Sequence, residues 1–285
     1  MFHKNPVALL LHFALVVVKQ HLSTETAVQI LDEQILPVHE YNQRSNLNEN
    51  DVLAAQAQGQ VDRAMAGNDP LLQYTYAEFP LLSLDMCLNQ AVPAVIENIN
   101  KDNQSKMVVV DLGSGCGRPS LYMALTRPNF KHVIGIEASQ TLHQEGLRSI
   151  QAATDLGLLG VVANEVERVD VDNNNLEGTT DINSNALTLH CGMAQEYAYI
   201  LNTADLVFCY STAFESSGVF LPEIRGLILS NEWNELLSKH CRPGTVVITT
   251  DRALDPARGW RVLQRMDSVP NPQVVDSTCF IQQRI

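Results

Sequence analysis

The chain of 285 residues is short of positive charge: 19 Lys and Arg stand against 32 Asp and Glu, a formal balance of −13 at pH 7, and the basic residues form no run. Affinity for phosphate backbones comes largely from clustered Lys and Arg, so direct nucleic-acid binding is not expected, and a small molecule or a basic protein is the easier partner. Metal-ligand spacing is lacking too. The six cysteines, Cys87, Cys116, Cys191, Cys209, Cys241 and Cys279, include no C-x-x-C pair, which removes the usual signal for a zinc centre, and no metal is expected. Cys116, Cys191 and Cys209 fall in or beside expected buried strands, where a free cysteine acts as a small apolar residue. A reducing, intracellular setting, cytoplasmic or nuclear, is the simpler inference. The N-terminal apolar run, residues 7–18, is broken by His12 and preceded by Lys4. It is shorter than the roughly 20 residues of a membrane span, and no A-x-A-like cleavage site follows within residues 19–26. Residues 1–20 are therefore either a targeting or anchoring segment or a helix packed on the domain, and membrane association stays open.

With 45% hydrophobic and 18% charged residues the chain can bury a sizeable core, and one domain with an N-terminal extension fits better than two independent domains. The extension, residues 1–70, reads as helical. Ser23 or Thr24 is placed as an N-cap before an apolar run at 27–31, Pro37 makes a break, and a second helix is expected over about 50–66. Such helices serve as a lid, a brace or a partner-binding appendage. Residues 155–185 decay into polar and acidic residues and read as a helix remnant followed by an insertion.

The chain is organised around residues 107–119, MVVVDLGSGCGRP. Four apolar residues read as a strand buried on both faces, and an acid followed by alternating glycines reads as a tight turn into a helix that opens with Pro119. A side chain at Gly113 or Gly115 would fill space that a ligand needs and restrict backbone angles open to glycine. A dinucleotide turn, G-x-G-x-x-G, wants its third glycine where Arg118 stands, so the spacing points to another nucleotide cofactor. Twenty-six residues after Asp111, a second apolar run ends in Glu137, one turn-helix-turn unit further along and placed to hold ribose hydroxyls.

The pattern D-x-G-x-G-x-G resembles motif I of the class I S-adenosylmethionine (SAM) methyltransferases. The resemblance implies an α/β, Rossmann-like, seven-stranded sheet over residues 71–285, mostly parallel with a C-terminal antiparallel hairpin and helices on both faces. It implies SAM as cofactor, with Asp111, Gly113, Ser114, Gly115, Gly117 and Glu137 around it. Gly192 and Met193 stand where many members carry G-D beside the adenine, and the resemblance places them at the cofactor together with Cys209, which closes the fourth strand. The turn Arg242-Pro243-Gly244 before a β-branched run fits the class, as do two last strands at 260–266 and 274–281 separated by Pro270-Asn271-Pro272.

Two shorter segments resemble the non-SET histone lysine methyltransferases, the family named for disruption of telomeric silencing. Tyr76, Ala77 and Glu78 match its Y-G-E segment, which contributes to the SAM pocket, and Ala213-Phe214 match the end of its F-A-F. Tyr210 and Ser211 stand where that family has two asparagines. The resemblance implies methyl transfer to a protein lysine, with Tyr76 and Glu78 at the cofactor and Tyr210 and Glu78 as the candidate catalytic pair for orienting or deprotonating an amine. The missing asparagines favour a small-molecule acceptor instead, and the Met193 departure permits a non-catalytic SAM-binding or regulatory protein. A nicotinamide oxidoreductase comes last.

Overall fold

Side chains along the motif strand alternate between two cores: Val109 belongs to one buried cluster, Val110 and Leu112 to the other, as a period of two requires of a strand covered on both faces. The computed structural model describes residues 13–37, 77–98, 107–163, 185–272 and 274–285. In chain order these form β1 (Phe13–Val18), α1 (Thr24–Ile30) continuing into a π-helical turn (Leu31–Ile35), α2 (Leu81–Asn98), β2 (Met107–Leu112), α3 (Arg118–Thr126), β3 (Phe130–Glu137), α4 (Gln140–Asp155), β4 (Leu159–Ala163) and β5 (Ala186–Cys191). There follow α5 (Ala198–Leu201), β6 (Leu206–Cys209), β7 (Ser216–Leu221), β8 (Gly226–Leu229), α6 (Asn231–His240), β9 (Val246–Thr250), β10 (Arg252–Ala253), β11 (Trp260–Asn271) and β12 (Val275–Arg284).

The large sheet runs β11-β12-β9-β6-β2-β3-β5-β1-β4. β2 pairs in parallel with both β3 and β6, β3 with β5, and β6 with β9, while β12 is antiparallel to β9 and to β11. From β2 the chain moves outward to β3 and β5, then returns to β6 and β9 on the other side. The seven strands from β11 to β5 thus have the order and sense of the class I methyltransferase fold, with the switch point between β2 and β6. α1, α2, α3 and α4 contribute to the core on one face; α5 and α6 contribute to the core on the other. A separate small sheet joins the β7–β8 hairpin to β10.

The sheet has nine strands, two more than the sequence resemblance implies. β1 runs antiparallel between β5 and β4. The second half of the apolar run 7–18 is therefore an inner strand and not a helix, because the extended edge of β5 offers backbone partners to any apolar segment that reaches it. Ser23 does cap α1, accepting from the Thr26 N–H at 3.3 Å. The expected helix at 50–66 and residues 164–184 of the expected insertion lie outside the described residues; residues 159–163 of that stretch form β4. The last two strands are longer than the sequence suggests, because Pro270 and Asn271 pair within β11. Among the described residues no helix is long and apolar enough to cross a membrane.

Candidate cofactor and acceptor site

Open parallel sheets bind ligands beyond the carboxyl ends of their strands, at the switch point. Here that place is walled on one side by the β2 and β3 ends. Gly113, Gly115 and Gly117 all have left-handed φ values of 73°, 56° and 77°, so the turn folds back tightly before Arg118 and Pro119 open α3. The N–H groups of Gly113 and Ser114 both donate to the Ile136 carbonyl, at 2.9 and 3.1 Å, which fastens the turn to β3. Glu137 lies under it: Oε2 accepts the Gly115 N–H at 2.8 Å and Oε1 accepts the Ser139 N–H at 2.7 Å. Its carboxylate is thereby fixed in orientation at the mouth of the turn.

Asp111 sits deeper. It is buried and its Oδ2 accepts from Ser120 Oγ at 2.6 Å; burial pushes its pKa up to about 7, with the Ser120 hydrogen bond opposing and the Glu137 charge adding to the rise. Its place is beneath the turn, holding the first turn of α3. Gly192, at φ 149°, donates its N–H to the Glu137 carbonyl at 2.8 Å, and a Cβ on it would lie 2.5 Å from Glu196 Oε2. The Met193 N–H donates to that same Glu196 oxygen at 2.8 Å, and the Met193 side chain is exposed. On the same strands, His190 lies beside Ile136 near the ends, whereas His132 stands at the start of β3 beside Ala186. Burial lowers both to about 4, so both are neutral at pH 7.

The opposite wall is the loop after β6. Its segment Ser211–Ala213 is a short 3-10 turn, and Arg252 Nη1 donates to the carbonyls of Ser211 at 2.8 Å, of Phe214 at 2.5 Å, and of Thr212. Asp251, in the left-handed region at φ 61°, accepts from Thr212 Oγ1 at 2.5 Å, Ser277 Oγ at 3.0 Å and the Thr278 N–H at 2.7 Å. Asn271 Nδ2 donates to Ser277 Oγ at 2.8 Å and to the Tyr210 hydroxyl at 2.9 Å. Phe214 stacks on Trp233 with centroids 4.3 Å apart, and its ring lies 3.1 Å from where a Cβ on Gly113 would be. Phe214 thus joins the two walls.

The sequence-expected residues divide accordingly. Gly113, Ser114, Gly115, Gly117, Glu137 and Gly192 come together at the β2, β3 and β5 ends, with Asp111 behind them. Tyr76 lies outside the described residues. Tyr210 is turned inward, with its ring 5.2 Å from that of Phe79 and its hydroxyl accepting from Asn271. That is a packed, hydrogen-bonded side chain, whose expected part at an acceptor is a matter for the Tyr210→Phe variant. Glu78 faces the Arg118 guanidinium at 3.7 Å with little exposure. Cys209 is fully buried, with burial raising its thiol pKa, and packs as an apolar residue. Asp32, Asp251, Arg252 and Asn271 were not singled out by sequence: each owes its place to a partner far away in the chain. Among the described residues no group of three or more metal-ligating side chains is gathered.

No protein-family model matches the chain, and no curated protein matches it. Among solved structures it is similar to an RNA methyltransferase from Salinibacter ruber in complex with S-adenosyl-L-homocysteine, at 17% identity and TM-score 0.42, over 72% of this chain and 92% of that one. It is similar to a mutant of MtNAS in complex with S-adenosylmethionine, at 13% and 0.40, over 92% of this chain and 84% of that one. A third is TrmN from Thermus thermophilus, at 14% and 0.39, over 72% of this chain and 49% of that one. The strand order, rather than this likeness, defines the fold.

Proposed function

We propose that the protein is a SAM-dependent methyltransferase whose cofactor is seated on the turn at 113–117. The observation that carries this is the meeting, at the switch point, of three left-handed glycines with a carboxylate that the turn itself fixes. The residues fit the group. The left-handed glycines fold the turn back over Glu137, and the oriented Glu137 carboxylate suits a vicinal diol, whose two hydroxyls donate to it in a fork. Asp111, behind the turn, accepts from Ser120 Oγ and so holds the first turn of α3 beneath the site. When bound, SAM supplies an electrophilic methyl group on a sulfonium.

In-line displacement from a sulfonium asks the protein mainly for alignment and exclusion of water. The walls provide both: Phe214 and Trp233 cover the turn with apolar surface, and Arg252 holds the loop that carries Phe214. For the acceptor, the Ala213-Phe214 match supports a protein lysine. The inward Tyr210 and Ser211, the latter donating to the Thr250 carbonyl at 2.7 Å, leave the loop without the polar pair that the lysine-modifying family presents there, and this favours a small molecule.

Calorimetric binding of S-adenosylhomocysteine to the full-length protein tests the cofactor. Micromolar binding that weakens at least about ten-fold in Glu137→Ala, roughly 1.4 kcal/mol, is expected; no binding to folded wild type overturns the assignment. Transfer from labelled SAM to core histones, to a metabolite extract and to RNA then separates the acceptor classes.

A further inference from the structure

Arg118 occupies a position that suits it poorly. It is the first residue of α3, where the helix dipole is positive and disfavours a cation, and its side chain is only 8% exposed. A buried guanidinium is retained only where partners offset its lost hydration. Three converge here: the Asp32 carboxylate from the π-helical turn, the Glu78 carboxylate at 3.7 Å, and the Phe79 carbonyl at 3.4 Å. The partners come from the two described segments that flank residues 38–76 in the chain, so a single side chain one residue beyond the glycine turn ties both segments to it.

The contacts continue toward the other wall. The Phe79 ring, pinned at its backbone by Arg118, packs 5.9 Å from Phe208 and 5.2 Å from Tyr210. Tyr210 accepts from Asn271, Asn271 also donates to Ser277, and Ser277 shares Asp251 with Thr212. We propose that Arg118 is a positioning residue for the cofactor site: by bridging Asp32, Glu78 and the Phe79 carbonyl it fixes the N-terminal segments against the start of α3, so that the shape of the glycine turn and the seating of the acceptor loop depend on one guanidinium. This rests on the SAM reading of the turn.

The test is a double-mutant cycle read as S-adenosylhomocysteine affinity per folded molecule, using Arg118→Gln, Asp32→Asn and the double variant of the full chain, with thermal melting alongside. Each single change weakens binding about five- to ten-fold, and the double variant binds within about two-fold of the weaker single, the non-additivity expected of one shared interaction. Asp32, whose side chain is 25% exposed, is the milder change and carries the test should Arg118→Gln fail to fold. Arg127→Gln serves as control, since Arg127 pairs with Asp85 at 2.5 Å and ties the far end of α3 to α2: it lowers the melting temperature and leaves affinity unchanged. A purely structural part for Arg118 predicts that same pattern for its own variants, and affinities within two-fold of wild type in folded Arg118→Gln or Asp32→Asn overturn the proposal. Absence of binding by the wild type overturns the cofactor reading, and the proposal with it.

Discussion

The two walls of the site are built by different means. The wall at β2, β3 and β5 is made of backbone: glycines in left-handed conformations, N–H groups aimed at carbonyls of the next strand, and one carboxylate held by two N–H groups. The wall at β6, β9 and β12 is made of side chains, with Asp251, Arg252, Asn271 and Ser277 joining residues 26 to 61 positions apart. A backbone wall presents the same surface whatever the side chains around it do, which suits a ligand that stays constant. A side-chain network is re-cut by single substitutions, which suits a ligand that differs from one protein to another of the same fold.

If the first wall is the electrostatically loaded one, the buried acid beneath it dominates the pH response, and this is the largest effect expected. Asp111 has a folded pKa of about 7 against an ordinary 3.8. The folded state therefore binds the extra proton between these values: the contribution to stability is fully present below about pH 4 and is lost as pH rises through 7. His132 and His190 work in the opposite sense, since folded values near 4 against 6.5 give stability that is present above pH 6.5 and lost as pH falls toward 4. Urea unfolding of wild type against Asp111→Asn isolates the contribution of the buried carboxyl. The difference between them should move by up to about 4 kcal/mol across that range, with the variant gaining on wild type as pH rises; a constant difference would show that the carboxyl is charged throughout.

The second wall should respond in stability and acceptor handling, not in cofactor affinity. Asp251→Ala leaves Thr212, Ser277 and the Thr278 N–H without their shared acceptor, a loss of about 3 kcal/mol to which alanine adds, because it tolerates the left-handed backbone at φ 61° less well than aspartate. S-adenosylhomocysteine binding by the folded variant should stay within two-fold of wild type. A ten-fold loss would mean that the walls are one unit. Gly113→Ala attacks the seam between them. Its Cβ would meet the Phe214 ring at 3.1 Å from a backbone at φ 73°, for a cost of about 2 kcal/mol, and here affinity should fall together with stability.

The same division explains what the sequence shows. The backbone wall was legible because glycine spacing, the preceding apolar strand and the distance to Glu137 are all local facts. α6 and the cap at Ser23 were legible for the same reason. The short run that becomes β1 has no periodicity that separates helix from strand, and only the free edge of β5 decides it. Pro270 and Pro272 read as a separator, yet β11 is the outermost strand of the sheet, the one place where proline costs no ladder hydrogen bond. Asp251, Arg252 and Asn271 carry no local signal, since their meaning lies in partners across the fold.

Tyr210→Phe sets the smallest effect against the sharpest question. The sequence makes this tyrosine the natural candidate to touch an acceptor, while the structure gives its hydroxyl to Asn271 and its ring to Phe79. Phenylalanine keeps the ring contact and removes one buried hydrogen bond, a loss of about 1 kcal/mol in which Asn271 retains Ser277 as a partner. Unchanged turnover and cofactor affinity at that small cost would place the hydroxyl wholly within the second wall's internal network. A drop in turnover with affinity intact would instead return the hydroxyl to the acceptor, and the side-chain wall would then take part in the chemistry as well as shape the space around it.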